Sequence, residues 1–235
     1  MSTPAGRDQA PGVRTRAVLT REAIVAAGVE LVDAAGPDAL TMRAVAERLG
    51  CGVMSLYRHV ADRDALLDLV LEATASEIPS TTTLTGDWRA DAAVLARDVR
   101  SALLRRPQLT ILLTSRGDRG VGGLPALDRA LAIFRSAGLD ERQAVEANHA
   151  LGNFVAGAAI WDAIGLDGTS GETRQARREA AAAAVRALPE DAFPNVTWAR
   201  DELFAGSRDE RFEAGLATLL DGIERRVEAA ATARR

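Results

Sequence analysis

The stretch LTMRAVAERLGCGVMSLYRHVADRDALL, residues 40–67, decides the fold. Apolar residues recur in it at helical spacing, and glycine and polar residues break that spacing at short intervals. Thr41 is a good N-cap for a short helix with Val45, Ala46 and Leu49 on one face. Gly50 stops that helix, because glycine takes the positive φ of a tight turn at least cost. A further helix is expected from about Val53 to His59. Asp62 caps the next, with Leu66, Leu67, Val70 and Leu71 facing inward. Two helices crossing at a fixed angle need a small residue, a turn glycine and apolar side chains that lock the crossing. Ala46, Gly50 and the group Val45, Leu49, Cys51 and Leu56 meet those needs. Such short helices are unstable alone and must be held by their neighbours. A helix held at such an angle can lie in the major groove of duplex DNA, presenting its first residues to the base edges.

Upstream, a helix is expected after Thr20, with Ile24, Ala27, Gly28, Leu31 and Val32 at helical spacing and Gly36-Pro37 at its end. Residues 1–17 are polar, contain Pro4 and Pro11, and read as a disordered arm. Their arginines, Arg7, Arg14 and Arg16, suit either a solvated tail or contacts to phosphate and the minor groove. Downstream, a polar break at 79–87 precedes a helix from Trp88 to about Arg106, closed by Pro107. Shorter helical pieces at 108–115 and 124–137 flank GDRGVGG, and a long helix spans 140–164. Residues 165–173 read as loop, 173–187 as helix and 189–207 as mostly loop. The last helix starts near Asp209 and carries the stripe Phe212, Leu216, Leu219, Leu220, Ile223 and Val227. No stretch alternates apolar and polar residues as a strand would, so the class is all-α.

At 235 residues and 47% hydrophobic content, the chain can bury a real core in one small and one medium domain. It has no run of eighteen apolar residues and no signal-type segment at its start, so no membrane association and a cytoplasmic location are expected. A single cysteine, Cys51, excludes an internal disulfide, and with two histidines a metal site is not expected. Cys51 reads as a small buried hydrophobe rather than a redox sensor. All 29 basic residues are arginine. That bias suits a GC-rich genome as well as it suits phosphate contacts. The net charge of −4 is uneven: eight arginines against seven acids leave +1 in residues 1–63, and −5 in the rest.

The pattern LTMRAVAERLG, a short turn, then SLYRHVADRDALL resembles the signature of the tetracycline-repressor family over residues 20–70. The stretches GDWRADAAVLARDVRSALLRRP, ALGNFVAGAAIW and RFEAGLATLLDGIE resemble the C-terminal domain of that class. The resemblance implies a three-helix helix-turn-helix DNA-binding domain at 18–65 after the arm at 1–17. It also implies a larger helical ligand-binding and dimerisation domain at 66–235. Arg43 is then expected to contact phosphate or a base, and Val53, Met54 and Ser55 to meet bases, the first two at thymine methyls. Tyr57, His59 and Arg63 match positions that bind the DNA backbone. Arg58 projects from the same helix toward a base or phosphate, and Thr41 directs its N-cap amides at phosphate. Two positions depart from the pattern. Gly52 stands where Ser or Thr often caps, a change of a few tenths of a kcal/mol, and Val60 replaces a common aromatic.

Each assignment has a plainer counterpart. Tyr57 also reads as a core aromatic, His59 as a solvated helix end, and Arg63 as a partner of Asp62 or Asp64. In the second domain, Trp88, Leu103, Leu112, Phe134, Phe154 and Trp161 are the expected apolar lining of a ligand pocket. Thr114, Asn148, His149 and Asn153 are the polar candidates within it, and each also suits a core or interface position. The scarcity of ionisable groups there hints at a mostly neutral ligand. Helices 140–164 and 209–230 are the expected four-helix dimer bundle, with Gly152, Ala156 and Ala159 permitting close approach. The implied protein is a homodimeric repressor of a palindromic double-stranded operator, released by a small-molecule inducer and needing no cofactor. Control by a protein partner, or activation, are the rival readings. No nucleophile elbow, phosphate loop or HExxH motif supports an enzyme.

Overall fold

Thr20 opens the first helix as its sequence requires: its hydroxyl accepts the Ala23 amide at 3.2 Å, and α1 runs Arg21–Ala35. The computed structural model describes residues 19–79, 83–107, 109–110, 122–164 and 171–234. The expected arm, most of the expected piece 108–115, Leu112 and Thr114 lie outside them. A 3-10 turn at Pro37–Ala39 leads to α2 (Met42–Leu49), then α3 (Val53–Leu56) and α4 (Arg63–Ser76). Thr41 and Asp62 cap α2 and α4 as expected, accepting the amides of Ala44 at 3.1 Å and Ala65 at 2.8 Å. The third helix is shorter than expected: residues 57–59 form a turn, with the His59 amide bonded to the Leu56 carbonyl at 2.8 Å.

The second group comprises α5 (Trp88–Arg105), α6 (Leu124–Ser136), α7 (Glu141–Ile164), α8 (Gly171–Arg186), α9 (Pro194–Ala199) and α10 (Arg208–Ala233). The stretch 189–207, expected to be mostly loop, also holds α9, opened by Pro194 with its preset φ, and a 3-10 turn at Glu202–Phe204. The last helix begins at Arg208, near Asp209 as expected, because Ser207 and Glu210 form a reciprocal capping box. The described residues contain no strand.

Two cores result. Ile24, Leu40, Val45, Leu56, Leu66 and Val70 are fully buried in the N-terminal one, where α1 packs on α2 and α4. Phe134, Ile133, Leu151, Val155, Phe212 and Leu216 centre the other, where α5 and α6 pack on α7, and α10 closes against α5 and α7. The cores meet in two places. Leu109, just beyond α5, is fully buried in the N-terminal core. Helix α4 gives Leu66, Leu67, Val70 and Leu71 to that core while its opposite side faces the second domain. The expected boundary at 65/66 therefore falls within one continuous helix.

Candidate nucleic-acid interface and ligand cavity

The turn between α2 and α3 is fixed by backbone geometry. Gly50 adopts φ 64° and ψ 33°, a left-handed conformation that costs a side-chain-bearing residue energy. Its amide bonds the Glu47 carbonyl at 3.2 Å, and the Cys51 amide bonds that of Ala46 at 3.0 Å, a Schellman closure of α2. Leu56 and Val60, both buried, then anchor the short third helix from beneath. Cys51 is half-buried against the same core as a free thiol.

That anchoring turns the remaining side chains of α3 and its C-terminal turn outward. Met54 is 78% exposed and Tyr57 47%, large apolar surface for an isolated chain to leave in water. Tyr57 is thus a surface aromatic and not a core one. Arg58 and His59 are exposed beside it, and Arg58 donates weakly to the Ser55 hydroxyl at 3.4 Å. Val53 and Ser55 are half-buried at the helix start. On α2, Arg43 is exposed and donates to Glu47 one turn on at 2.8 Å; that hydrogen bond, foremost, raises the guanidinium pKa. Arg63 points elsewhere. Its Nε donates to the Leu40 carbonyl at 2.8 Å and a terminal nitrogen to that of Pro37 at 3.0 Å, tying the turn ahead of α2 to the start of α4.

The second domain holds a partly open cavity of about 750 Å³ between α4, α5, α6 and α7. Of the residues expected to line it, Leu103, Asn148 and Asn153 do so. The others are placed differently. Phe134 is fully buried in the core, and Trp88 packs against the same core. Phe154 stacks on Phe212 with ring centroids 5.3 Å apart. His149 is exposed, and Trp161 is 78% exposed on the outer side of α7. Sequence reasoning favoured aromatics as lining. The walls instead consist of aliphatic and small residues, with Asp68, Glu72 and Thr74 of α4 added at one end. The available signal was the face of α4 opposite its apolar stripe, where Asp68, Glu72 and Ala75 recur at helical spacing.

The cavity is joined to the N-terminal domain by close contacts. A Cβ on Gly122 would lie 2.2 Å from the Glu72 carbonyl oxygen, so only glycine permits this approach to α4. Arg106, at the end of α5, donates to Asp33 of α1 at 2.7 Å and to Glu77 beyond α4 at 2.6 Å. Burial works against its charge and the hydrogen bonds outweigh burial, so its pKa lies above the ordinary arginine value.

Comparison with known proteins gives the same two-part division. Residues 24–70 match the model of bacterial regulatory proteins of the tetR family, and residues 80–227 that of the tetracyclin repressor-like C-terminal domain. The HTH-type transcriptional repressor DrrR1 of Streptomyces coeruleorubidus is 30% identical over 218 residues, 91% of this chain and 80% of that protein. The class A tetracycline repressor from transposon 1721 of Escherichia coli is 32% identical over 206 residues, 86% of this chain and 89% of that one. Among solved structures, Streptomyces coelicolor ActR in complex with actinorhodin aligns with a TM-score of 0.79 and 29% identity, covering 88% of this chain and 96% of ActR.

Proposed function

The chain belongs to the tetracycline-repressor family of bacterial regulatory proteins, and from that premise we propose that it represses transcription as a homodimer that a small molecule releases from its operator. The observation that carries the DNA-binding half is the outward display of Met54 and Tyr57 on a helix pinned by Leu56 and Val60. Val53, Met54 and Ser55 meet base edges. Tyr57, Arg58 and His59 meet the backbone, with Arg43 and the capped start of α2 at Thr41. Arg63 acts by holding the 37–40 turn, which sets where α2 begins. A palindromic operator needs two such helices about 34 Å apart. The dimer is formed by α7 and α10, where Gly222 leaves open space for a facing helix.

The second domain is the sensor. A cavity of about 750 Å³ falls in the range of sites that hold small organic molecules. Control by a protein partner would need no such space, and the cavity weighs against it. The solved relative ActR is known in complex with actinorhodin, and the class A relative is a tetracycline repressor, which supports an organic effector here. The effector binds best to the arrangement that spaces the two recognition helices wrongly, and its differential affinity sets the extent of release.

The test is a mobility-shift assay on the protein's own upstream DNA across a salt series, with Tyr57→Ala alongside. A complex of two chains per site, weakened steeply by salt and lost in the variant, is the expected result. Tyr57 is 47% exposed, so its removal leaves the fold intact. No specific complex on upstream or genome-wide fragments would overturn the reading.

A further inference from the structure

Two glycines stand in the middle of α7 without the usual reason for a glycine in a helix. Glycine weakens a helix interior, because it loses the most conformational freedom on folding. A close neighbour ordinarily requires it. Gly28 of α1 and Gly215 of α10 have one: an added Cβ would meet a Val70 methyl at 2.8 Å and the Phe154 ring at 2.7 Å. Gly152 and Gly157 have none, since nothing lies within 4 Å of an added Cβ, and both line the cavity. Gly152 belongs to a row spaced one turn apart along α7, Asn148, Gly152, Ala156 and Ile160, and all four border the space. Asn148 is half-buried there, and its amide has no hydrogen-bond partner among the described residues. Small residues line the same space from two other helices, Ala96 and Ala102 on α5 and Ala126 and Ala130 on α6.

We infer that Gly152 decides which molecules this cavity accepts: a ring face of the effector packs directly on the bare α7 backbone there, with a polar edge at Asn148. The inference rests on the reading of this cavity as the effector site. A wall without a side chain gives a flat face contact over its whole area, and a rigid ring system loses little entropy on binding. The Asn148 amide donates to a carbonyl, or accepts from a hydroxyl, on the edge of the ring. Any side chain at position 152 would take the ring's place. The glycine lowers the stability of α7 and keeps that place open, so filling it moves stability and affinity in opposite directions.

Two probes test this on the purified full-length protein: Nile red, a flat fused-ring dye with a carbonyl edge that brightens on leaving water, and 1-decanol, a flexible chain, followed by calorimetry. Variants are Gly152→Ala, Gly152→Leu and the cavity-filling Ala126→Trp, each checked for helicity, melting and, by sedimentation, oligomeric state. Gly152→Ala should melt about 2–4 °C above the parent. It should nevertheless bind Nile red about threefold or more weakly, and Gly152→Leu about tenfold or more weakly, while decanol affinity stays within about threefold in both. Ala126→Trp should abolish Nile red binding. Unchanged Nile red affinity in Gly152→Leu, with binding lost in Ala126→Trp, would overturn the role of Gly152 and leave the cavity reading standing. So would weaker binding that accompanies dissociation into single chains, which would assign the glycine to the contact between copies. Equal losses for decanol and Nile red would mean a merely narrowed space and overturn the ring contact. No Nile red binding by the parent, or binding that survives Ala126→Trp, would overturn both the inference and the cavity reading.

Discussion

Arg106 and Asp33 are hydrogen-bonded at 2.7 Å although 73 residues separate them, and this bond joins the sensor domain to the first helix of the DNA-binding domain. The same guanidinium holds Glu77, beyond the end of α4, at 2.6 Å. A planar fork engaging two carboxylates from two elements sets their relative position, which a lysine point charge would do less well. Beside it, Leu109 is fully buried among residues of the DNA-binding core. A displacement of the chain after α5 is therefore transmitted to both α1 and α4.

Arg106→Ala should loosen that coupling more than it harms either domain. Its side chain is 16% exposed and its partners are about half exposed, so the loss is about 1–3 kcal/mol, or a melting temperature lower by roughly 2–8 °C. Operator affinity should change little, while the effector concentration needed for release rises by roughly tenfold. Arg106→Lys should fall between. Mobility shifts with and without effector measure both quantities; unchanged release in Arg106→Ala would show that the link is structural only.

Gly28 sits where α1 crosses α4. A Cβ there would lie 2.8 Å from a Val70 methyl and 3.2 Å from a Leu40 methyl, both on fully buried side chains. Gly28→Ala gains roughly 1 kcal/mol of helix propensity and meets an overpacking cost of about 1–3 kcal/mol, so a net loss is expected. Adding Val70→Ala should recover part of the overpacking term, making the double variant less destabilised than the sum of the singles. Thermal unfolding of the four proteins gives the cycle, and strict additivity would mean that the two residues do not clash.

How much of this was legible in the sequence depended on the range of the interaction. Caps at Thr20, Thr41 and Asp62 and the turn at Gly50 are local, and each was read from residues within four positions. Ser207 and Glu210 had the same local signal, S-x-x-E, and it was overlooked beside the apolar stripe that follows it. The residues leave Tyr57 open between a DNA contact and a core aromatic, and only the fold, which buries Leu56 and Val60, turns it outward. The cavity lining was not legible either, because a helix between two domains has two inward faces, and hydrophobicity marks only the drier one. Asp68 and Glu72 stand off the apolar stripe of α4, and they border the cavity. The partners of Arg106 lie 73 and 29 residues away, a pairing that no periodicity encodes.

Acid should weaken the contact between α5 and α10. Arg97 holds Glu213 through two hydrogen bonds of 2.8 and 2.7 Å. Those bonds, opposed by slight burial and aided by the charges of Arg97 and Arg100, lower the Glu213 pKa below 4.5. A depressed carboxylate contributes stability that is present above its unfolded value and is lost as pH falls through the folded one. The pair is about half exposed, so the contribution is under about 1 kcal/mol. Glu213→Gln should lower the melting temperature slightly at neutral pH and converge with the parent as pH falls through and below the carboxylate range. A constant difference across that range would assign the effect to packing.

The contact between Gly122 and Glu72 offers the most direct test of α4 as the lever. A Cβ on Gly122 would meet the Glu72 carbonyl oxygen at 2.2 Å and its carbon at 2.9 Å, backbone atoms that no rotamer change can move aside. Gly122→Ala must therefore separate the residues before α6 from α4 by about an ångström to regain ordinary contact. The neighbouring Gly123 is the matched control, since nothing lies within 4 Å of its added Cβ. Its replacement by alanine costs only the weak cap of α6. If α4 transmits the state of the sensor domain, Gly122→Ala should shift operator affinity by roughly tenfold or more without effector, while Gly123→Ala leaves it within about twofold. Both should melt within a few degrees of the parent. Equal operator affinities for the two variants would mean that α4 tolerates the displacement without moving the recognition helix, and the lever would have to be sought in the Arg106 link instead.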